Sequence, residues 1–182
     1  FLPDNKDDVK VAEYALRAEE KAVTVKYVEK ELTVNVGKYT TLKMICYTEN
    51  DNINNSSVIA LFDGDWGRVV LPGDIESDSE IRFAKDFTEE IDLLCLPHHG
   101  SDTSSTDEFL KTLSPEYAII SVGEGNQYGH PSAEVIDRVD DFTTAGNIYR
   151  TDSCGAVRFK FGMLFSLFRD DVIVWQKKNL SE

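Results

Sequence analysis

The sequence predicts an α/β fold with mixed sheets, and three observations lead to this class. Hairpin-like strand pairs fill the first half of the chain, whereas apolar runs alternate with helical stretches in the second half. The composition, with 41% hydrophobic and 10% aromatic residues, is that of a globular protein. At 182 residues the chain has the length of one ordinary domain, so we expect a single domain over residues 1–182.

The first half is predicted to contain one helix, then a series of strands and a second helix. Apolar residues recur at helical spacing over residues 9–22, with charged residues between them. Short β-rich runs predict strands at 23–28, 32–36, 39–47, 56–62 and 68–71. The segment Asp63-Gly64-Asp65-Trp66-Gly67 predicts a hairpin turn between the last two strands, and a helix is expected over 76–87.

The second half is predicted to alternate strands and helices. An apolar run from Ile91 predicts a buried strand that stops at Pro97. A helix at 107–113 and a strand at 117–122 follow, and a glycine-rich loop then leads to Pro131, which suits the first turn of another helix. The closing strands are predicted at 147–150, 155–161 and 172–175.

The charge and cysteine content narrow the functional classes. The formal net charge is −14, from 33 acidic and 19 basic residues. This argues against sequence-independent electrostatic binding of nucleic acid. The sequence contains no run of 18 apolar residues, so we expect that this chain does not itself span a membrane. The three cysteines are widely spaced and form no CxxC pair, which predicts core or free thiols and leaves the redox compartment open.

The polar segment after the buried strand is the first place to expect function. His98 and His99 follow Pro97 directly, and a hydroxyl-rich stretch comes next. Proton-handling side chains at the carboxyl end of a buried strand are where α/β proteins usually place chemistry. From an extended backbone two adjacent side chains point to opposite sides. One histidine is therefore expected to face a metal or substrate while the other packs or supports it.

Taken singly, the candidate residues have two interpretations each. Asp74 is either a helix N-cap or an oxygen ligand that bridges two cations. His98 and His99 are either loop residues with backbone partners or part of a metal site, which needs three or four ligands for zinc. His130 is either an exposed loop histidine or an anion ligand at a helix N-terminus. Cys95 is either a small core residue or the nucleophile of a Cys-His hydrolase.

Six motifs occur in order between about residue 54 and residue 160. They are Asn54-Asn55-x-Ser57, Pro72-Gly73-Asp74, Leu96-Pro97-His98-His99-Gly100-Ser101-x-x-Ser104-Ser105, Pro115-x-x-Ala118-Ile119-Ile120-Ser121-Val122-Gly123, Asn126-x-Tyr128-Gly129-His130-Pro131 and Tyr149-Arg150-Thr151-Asp152-x-x-Gly155. Each motif alone is modest, but the ordered set is specific. It resembles the metallo-β-lactamase-like domain of ComEC-type competence proteins.

This resemblance implies an αββα four-layer sandwich of the metallo-β-lactamase type. It also implies a metal-dependent phosphodiesterase or nuclease, with zinc or manganese as the divalent metal and two ions in the site. DNA is the implied substrate, because ComEC-type proteins form the membrane channel of DNA uptake and this domain is thought to degrade the strand that is not transported. The implied location is the outer face of a bacterial membrane protein, with a cytoplasmic or secreted free-standing hydrolase as the alternative.

The resemblance also assigns roles to residues by position. Asp74 matches the metal-bridging aspartate, and His99, or His98 beside it, matches a histidine that acts as ligand or as proton donor to the leaving oxygen. His130 is expected to face the substrate, and Asn55 occupies the loop that in other members supplies a metal-binding histidine. The implied catalytic residues are therefore His98, His99 and His130, the metal ligands Asp74 and His99, and the substrate-binding residues Asn55, Ser101 and Asn126.

One departure from the family pattern leaves the activity open. The principal metal motif, His-x-(His or Asp)-x-Asp-His, has no match in this chain, and no histidine precedes His98. We therefore expect the chain to be the later part of the domain, without its amino-terminal sheet and metal loop. Two further functions remain open on the sequence alone: a catalytically incomplete binding or scaffolding domain, and a free-standing metallohydrolase that acts on a small substrate.

Overall fold

The computed structural model of the chain describes residues 1–47 and 52–160, together with the backbone of 171–174. The strands are β1 (Leu2–Pro3), β2 (Tyr27–Val28), β3 (Glu31–Asn35), β4 (Thr40–Cys46), β5 (Val58–Gly64), β6 (Gly67–Leu71), β7 (Leu93–Cys95), β8 (Tyr117–Ile120), β9 (Ile148–Arg150), β10 (Val157–Lys160) and β11 (Asp171–Val174). The helices are α1 (Val9–Glu20), α2 (Ser77–Asp86), α3 (Asp107–Leu113), α4 (Ala133–Phe142) and α5 (Thr151–Cys154). Short 3₁₀ turns occupy Asn54–Ser56 and Pro97–Gly100.

Seven strands form one mixed sheet in the order β3-β4-β5-β6-β7-β8-β9. The first four strands pair antiparallel, as consecutive hairpins do. From β6 to β9 the pairing is parallel, and the helices α2, α3 and α4 make the crossovers. The predicted α/β class with a mixed sheet is confirmed, and the parallel half brings the ends of β6, β7 and β8 to one edge.

The main core lies between this sheet and the crossover helices. Ile59 and Leu94 from the sheet are completely buried in one cluster with residues of α2, α3 and α4. Within it the rings of Phe83 and Phe109 lie with centroids 6.0 Å apart. Burying an aromatic side chain of this kind contributes on the order of 3 kcal/mol or less to stability, so this contact is one of those that join α2 to α3.

The opposite sheet face is covered by smaller elements. Val28, Met44 and Cys46 form a second buried cluster near the antiparallel strands. At the parallel end, Phe159 of β10 contacts the rings of Tyr117 and Tyr149 with centroids 5.2 and 6.1 Å apart. Among the described residues, the seven-stranded sheet and its helical layer thus correspond to two of the four layers of the predicted αββα sandwich.

Some predicted boundaries differ from the structure for local reasons. The strand expected at 23–28 pairs only at β2, because its partner β1 is two residues long. The hairpin turn consists of Asp65 and Trp66, since Gly64 and Gly67 still pair. The placement of Pro131 in a helical first turn is wrong, because Ser132 caps α4 by accepting a hydrogen bond from Val135 N. Phe161 and Trp175, also predicted in strands, lie outside the described residues.

No helix in the described ranges is both long and apolar enough to cross a membrane.

A buried carboxylate ties the loop after β7 to the helical layer. Glu80 of α2 is completely buried and accepts hydrogen bonds from the backbone N–H groups of Ser105 and Thr106, the latter at 2.8 Å. Arg138 of α4 donates to the backbone carbonyl oxygens of Ser104 and Ser105, at 3.2 and 2.9 Å. Burial raises the pKa of the Glu80 carboxyl, and the hydrogen bonds from Thr106 and Ser105 and the charge of Arg138 oppose only part of this. Helices α2 and α4 therefore clamp this loop from two sides.

We expect Glu80→Ala to lower the free energy of unfolding by about 1–3 kcal/mol for each of the two N–H donors that lose their acceptor. Chemical denaturation of the two proteins measures this difference. Asp137→Ala, at an exposed acidic position of α4, is the control and is expected to change stability by no more than about 0.5 kcal/mol. An equal loss of stability in both variants would show that the hydrogen bonds of Glu80 to the loop contribute nothing to the free energy of unfolding.

The pH dependence of stability checks the same contact. The pKa of Glu80 in the folded state is raised above its ordinary value of 4.5, so the folded state holds this proton more tightly than the unfolded chain. The contribution of Glu80 to the free energy of unfolding is therefore largest below 4.5 and declines as the pH rises through the folded-state pKa. In Glu80→Gln, which cannot ionise at this position, the free energy of unfolding is expected not to show this decline. Chemical denaturation at a series of pH values measures it.

Candidate functional site

Three loops meet at the edge where parallel strands β6, β7 and β8 end. Asp74 and Glu76 follow β6, and His98 and His99 follow β7. The loop after β8 carries His130. Because parallel strands end on the same side of a sheet, these side chains come together although they lie far apart in sequence.

The histidine pair lies in an unusual backbone conformation. His98 has φ 47° and ψ 39°, His99 has φ 55° and ψ 22°, and Gly100 has φ 80°. The premise of an extended backbone is therefore wrong. Left-handed conformation costs about 1–2 kcal/mol for each residue with a Cβ, and such strain clusters at functional sites. Two hydrogen bonds hold this left-handed turn: His98 N donates to Gly73 O at 3.0 Å, and Ser101 N donates to His98 O at 2.9 Å.

The turn directs His99 toward Asp74. The Nδ1 atom of His99 lies 2.6 Å from the carbonyl oxygen of Ser121, and a carbonyl only accepts, so Nδ1 carries the hydrogen. In the neutral ring the lone pair of Nε2 then faces Asp74 Oδ1, 3.5 Å away. A proton, a water molecule or a cation can bridge two acceptors at this distance. Metal-binding histidines commonly donate their other N–H to a backbone carbonyl in this way.

One cation could be held by Asp74 and His99 as two of its ligands. The alternative interpretation of Asp74 as a helix N-cap is wrong, because α2 begins at Ser77 and Glu76 takes the cap position. A structural zinc site has four protein ligands, and a catalytic zinc site has three protein ligands and a water. No group of three or more His, Cys, Asp or Glu side chains converges on one ion position within residues 1–47 and 52–160. The described residues thus do not complete a metal centre.

His98 contacts a different carboxylate, which the sequence analysis missed. Its Nδ1 lies 3.3 Å from Glu76 Oε1. Glu76 also accepts hydrogen bonds from the side-chain amides of Asn52 and Asn54, at 2.8 and 2.9 Å. Burial acts to raise the pKa of Glu76, but the hydrogen bonds from Asn54 and Asn52 and the charge of His98 outweigh it, so the pKa is lowered. The only available signal was its position two residues after Asp74.

The loop after β8 is organised by Asn126. Its side-chain oxygen accepts hydrogen bonds from Tyr128 N and His130 N, both at 3.1 Å, and its amide donates to His130 O at 2.6 Å. The ring of His130 meets the edge of His98 with centroids 5.7 Å apart. All three histidines of the chain are therefore gathered at this edge. A cavity of about 480 Å³ opens beside them, lined by His99, Ser121, Val122, Gly123, Asn126, Tyr128, His130 and Thr151.

The three predicted substrate-binding residues have different surroundings. Asn55 is 1% exposed, and its side-chain oxygen accepts a hydrogen bond from Glu76 N at 2.8 Å. Ser101 is 4% exposed, and its hydroxyl lies 3.0 Å from that of Thr103. Asn126 lines the cavity. The geometry gives Asn55 and Ser101 contacts that shape the loops, and their binding roles stay predictions.

The thiol of Cys95 is not activated by its surroundings. Burial raises its pKa, and a hydrogen bond from the backbone of Ser121 offsets this only in part. The reactive form of cysteine is the thiolate, so a raised pKa argues against the Cys-His hydrolase alternative. In the described part of the chain all three cysteines are free, in agreement with the sequence.

Two glycines let the loops approach each other closely. At Gly100, with φ 80°, a Cβ atom would lie 2.6 Å from Cβ of Pro131. Ser132 N also donates to Gly100 O at 3.0 Å. At Gly73, with φ 68°, a Cβ atom would lie 3.0 Å from that of Ser57. The turn with His98 and His99 therefore packs directly against the loop that carries His130.

Comparison with known proteins identifies relatives over half or more of the chain. The chain is 32% identical over 109 residues to ComE operon protein 3 of Bacillus subtilis, covering 59% of this chain and 14% of that protein. It is 33% identical over 138 residues to competence protein ComA of Neisseria gonorrhoeae (72% and 20%) and 35% identical over 108 residues to recombination protein 2 of Haemophilus influenzae (59% and 13%). The chain thus spans a fifth or less of the length of these relatives.

No protein-family model matches the chain. Among solved structures, a protein named as a metal-dependent hydrolase from Parabacteroides distasonis has a TM-score of 0.49 and 16% sequence identity, covering 80% of this chain and 70% of that one. This likeness carries no conclusion about activity.

We expect Gly100→Ala to destabilise the protein more than Gly125→Ala. Both glycines have positive φ, at 80° and 66°, so each alanine costs about 1–2 kcal/mol for the left-handed backbone. Only the Cβ at residue 100 meets another atom, because nothing lies within 4 Å of the one at residue 125. Thermal denaturation of both variants measures the difference, and equal melting temperatures would contradict a close approach to Pro131.

Proposed function

The chain is homologous to a segment of the competence proteins of the ComEC type, and from this premise we propose that it is the later part of a metallo-β-lactamase-like domain that hydrolyses phosphodiester bonds in DNA. The proposal is supported by the two carboxylate–imidazole pairs at the end of the parallel strands. The pairs are Asp74 with His99 and Glu76 with His98.

The single observation that carries the proposal is the orientation of His99. With Nδ1 bound to the carbonyl of Ser121, its Nε2 is left as an acceptor 3.5 Å from a second acceptor, Asp74 Oδ1. We propose that both are ligands of a divalent metal, zinc or manganese, with the remaining ligands supplied by residues beyond the described ranges. A pair of such ions, if bound there, would supply an activated water and charge stabilisation for the oxygens of a phosphodiester.

His98 is proposed as the group that handles a proton. Glu76 accepts from its Nδ1, which fixes the ring and leaves Nε2 free to act. With Nδ1–H held by Glu76, the proton to be transferred is that on Nε2 of the imidazolium, and its transfer to the leaving oxygen returns the neutral ring. Such general acid catalysis contributes typically about 10²–10⁴-fold in rate. His130, whose ring packs against that of His98 and which lines the cavity, is proposed to contact the substrate. Glu76 is a positioning residue in this scheme, since it acts through His98.

The role in DNA uptake is proposed for the whole polypeptide that contains this domain. The chain covers at most 20% of the length of the competence proteins compared above. A membrane channel and a location on the outer face of the membrane are therefore proposed for the whole polypeptide. The main competing function is a binding or scaffolding domain of the same fold. It is favoured by one observation, namely that the described residues offer a cation two ligands and no third.

We expect Asp74→Asn and His99→Ala to lose bound metal and phosphodiesterase activity together. The test compares the 182-residue chain with the whole natural polypeptide, using plasma mass spectrometry after dialysis against zinc or manganese. Asp65→Asn, an exposed acidic position in the β5–β6 turn, is the matched control and is expected to bind metal like the parent. Metal in the whole polypeptide alone supports shared ligands, whereas no metal in either protein rules out the hydrolase and leaves the binding domain.

We expect Glu76→Gln to lower kcat by about 10–100-fold while metal content and KM stay unchanged, because it removes the negative charge that orients His98. The same substitution also changes the acceptors of the Asn52 and Asn54 amides, which lie in the loop beside Glu76. Steady-state hydrolysis of an oligodeoxynucleotide measures this. Asp78→Asn, an exposed acidic position in the first turn of α2, is the control. A parallel loss of metal in Glu76→Gln would show that Glu76 is itself a ligand and contradict the positioning role.

A further inference from the structure

The side chain of Tyr128 is unusually exposed for an aromatic residue beside a candidate site. It is 72% exposed, more than any other tyrosine or phenylalanine that the structure describes. It lines the cavity together with His99 and His130. Tyr128 has no part in the function proposed above. An exposed aromatic ring gives up the stabilisation that burial of its large apolar surface would provide.

The surrounding loop holds this ring in place. The ring of Tyr128 stacks on that of His130, with centroids 5.9 Å apart and planes within 18° of parallel. The backbone N–H of Tyr128 donates to Asn126 Oδ1 at 3.1 Å, and the same oxygen accepts from His130 N. One face of the ring is therefore occupied by His130, and the exposure of the residue leaves the other face open. An ordered aromatic face is a low-entropy binding surface, since little freedom remains to be lost.

The charge of the cavity limits which ligand can bind there. Its lining contains no lysine or arginine. The two arginines near the loops are engaged, Arg138 with backbone carbonyls and Arg150 with Asp152 at 2.7 Å. With a net charge of −14, the chain gains little from neutralising phosphates. Basic side chains of the cavity lining therefore contribute nothing to holding a polynucleotide there, whereas its bases can contact the aromatic rings.

We propose that the open face of Tyr128 binds an unpaired nucleobase of the nucleotide next to the scissile phosphate. This rests on the proposed phosphodiesterase function and specifies which part of the substrate is recognised. A base inside a duplex has both faces covered by its neighbours, whereas an unpaired base presents a free π-face, and stacking on an aromatic ring accepts any base. The site thus selects unpaired strands with little preference for sequence.

The test uses the whole natural polypeptide and the variants Tyr128→Ala and Tyr128→Phe. We expect Tyr128→Ala to raise KM for a single-stranded oligothymidylate by about 5- to 150-fold, the loss expected for one stacked base, with kcat little changed. Tyr128→Phe keeps the ring and is expected to retain the parent KM. Tyr14→Ala, at a 58% exposed tyrosine of α1, is the matched control.

A second substrate separates base recognition from other effects. For an oligonucleotide that carries an abasic residue next to the cleaved bond, Tyr128→Ala and the parent are expected to have the same KM. An equal effect of Tyr128→Ala on the intact and abasic oligonucleotides would overturn the proposal. So would an unchanged KM for the intact strand, which would leave Tyr128 as a surface for another protein.

The outcome also distinguishes this proposal from the one on which it rests. Fluorescence anisotropy with labelled oligothymidylate in a chelator measures binding when no strand is cut. Absence of hydrolysis in every form would overturn the phosphodiesterase function alone. Weaker binding by Tyr128→Ala and unchanged binding by Tyr14→Ala would still support the stacking site, and binding that does not depend on Tyr128 would overturn it.

Discussion

The left-handed turn of His98, His99 and Gly100 is the constraint on which the candidate site depends. Two consecutive residues with a Cβ are held in a conformation that each would avoid in a free chain. The surrounding loops maintain it through the hydrogen bond from His98 to Gly73 and the contact of Gly100 with Pro131. Because of this turn, the two adjacent histidines contact different carboxylates. An extended strand end would direct the two side chains differently.

The two carboxylate–imidazole pairs differ in their surroundings, and this difference separates their roles. Glu76 and His98 are 18% and 24% exposed and are surrounded by amides and a hydroxyl, so their contact resembles an orienting hydrogen bond. Asp74 and His99 are 48% and 53% exposed, and their facing acceptors leave room for a cation. The same edge of the sheet therefore carries a pair suited to hold a ring and a pair suited to contribute ligands.

The sequence was sufficient to predict the local elements and the general place of the site. Alternation and apolar runs identified the strands from β4 to β8 because each of these has one or both faces in the core. The clustering of the histidines followed from their position after parallel strands. The contact of Glu76 with His98 and the burial of Asn55 were not predictable, because they join residues about 20 apart through packing that no local pattern encodes.

The contacts of Glu80 and Arg138 with the loop after β7 couple the opening of this loop to the stability of the helical layer. Backbone groups of Ser104, Ser105 and Thr106 are held by side chains of α2 and α4, in addition to hydrogen bonds within the loop and to α3. Opening of this loop therefore breaks the same bonds that would break if either helix detached. The amide hydrogens of Ser105 and Thr106 would then exchange with solvent at the slow rate of the core helices, although they lie in a connecting segment beside the site.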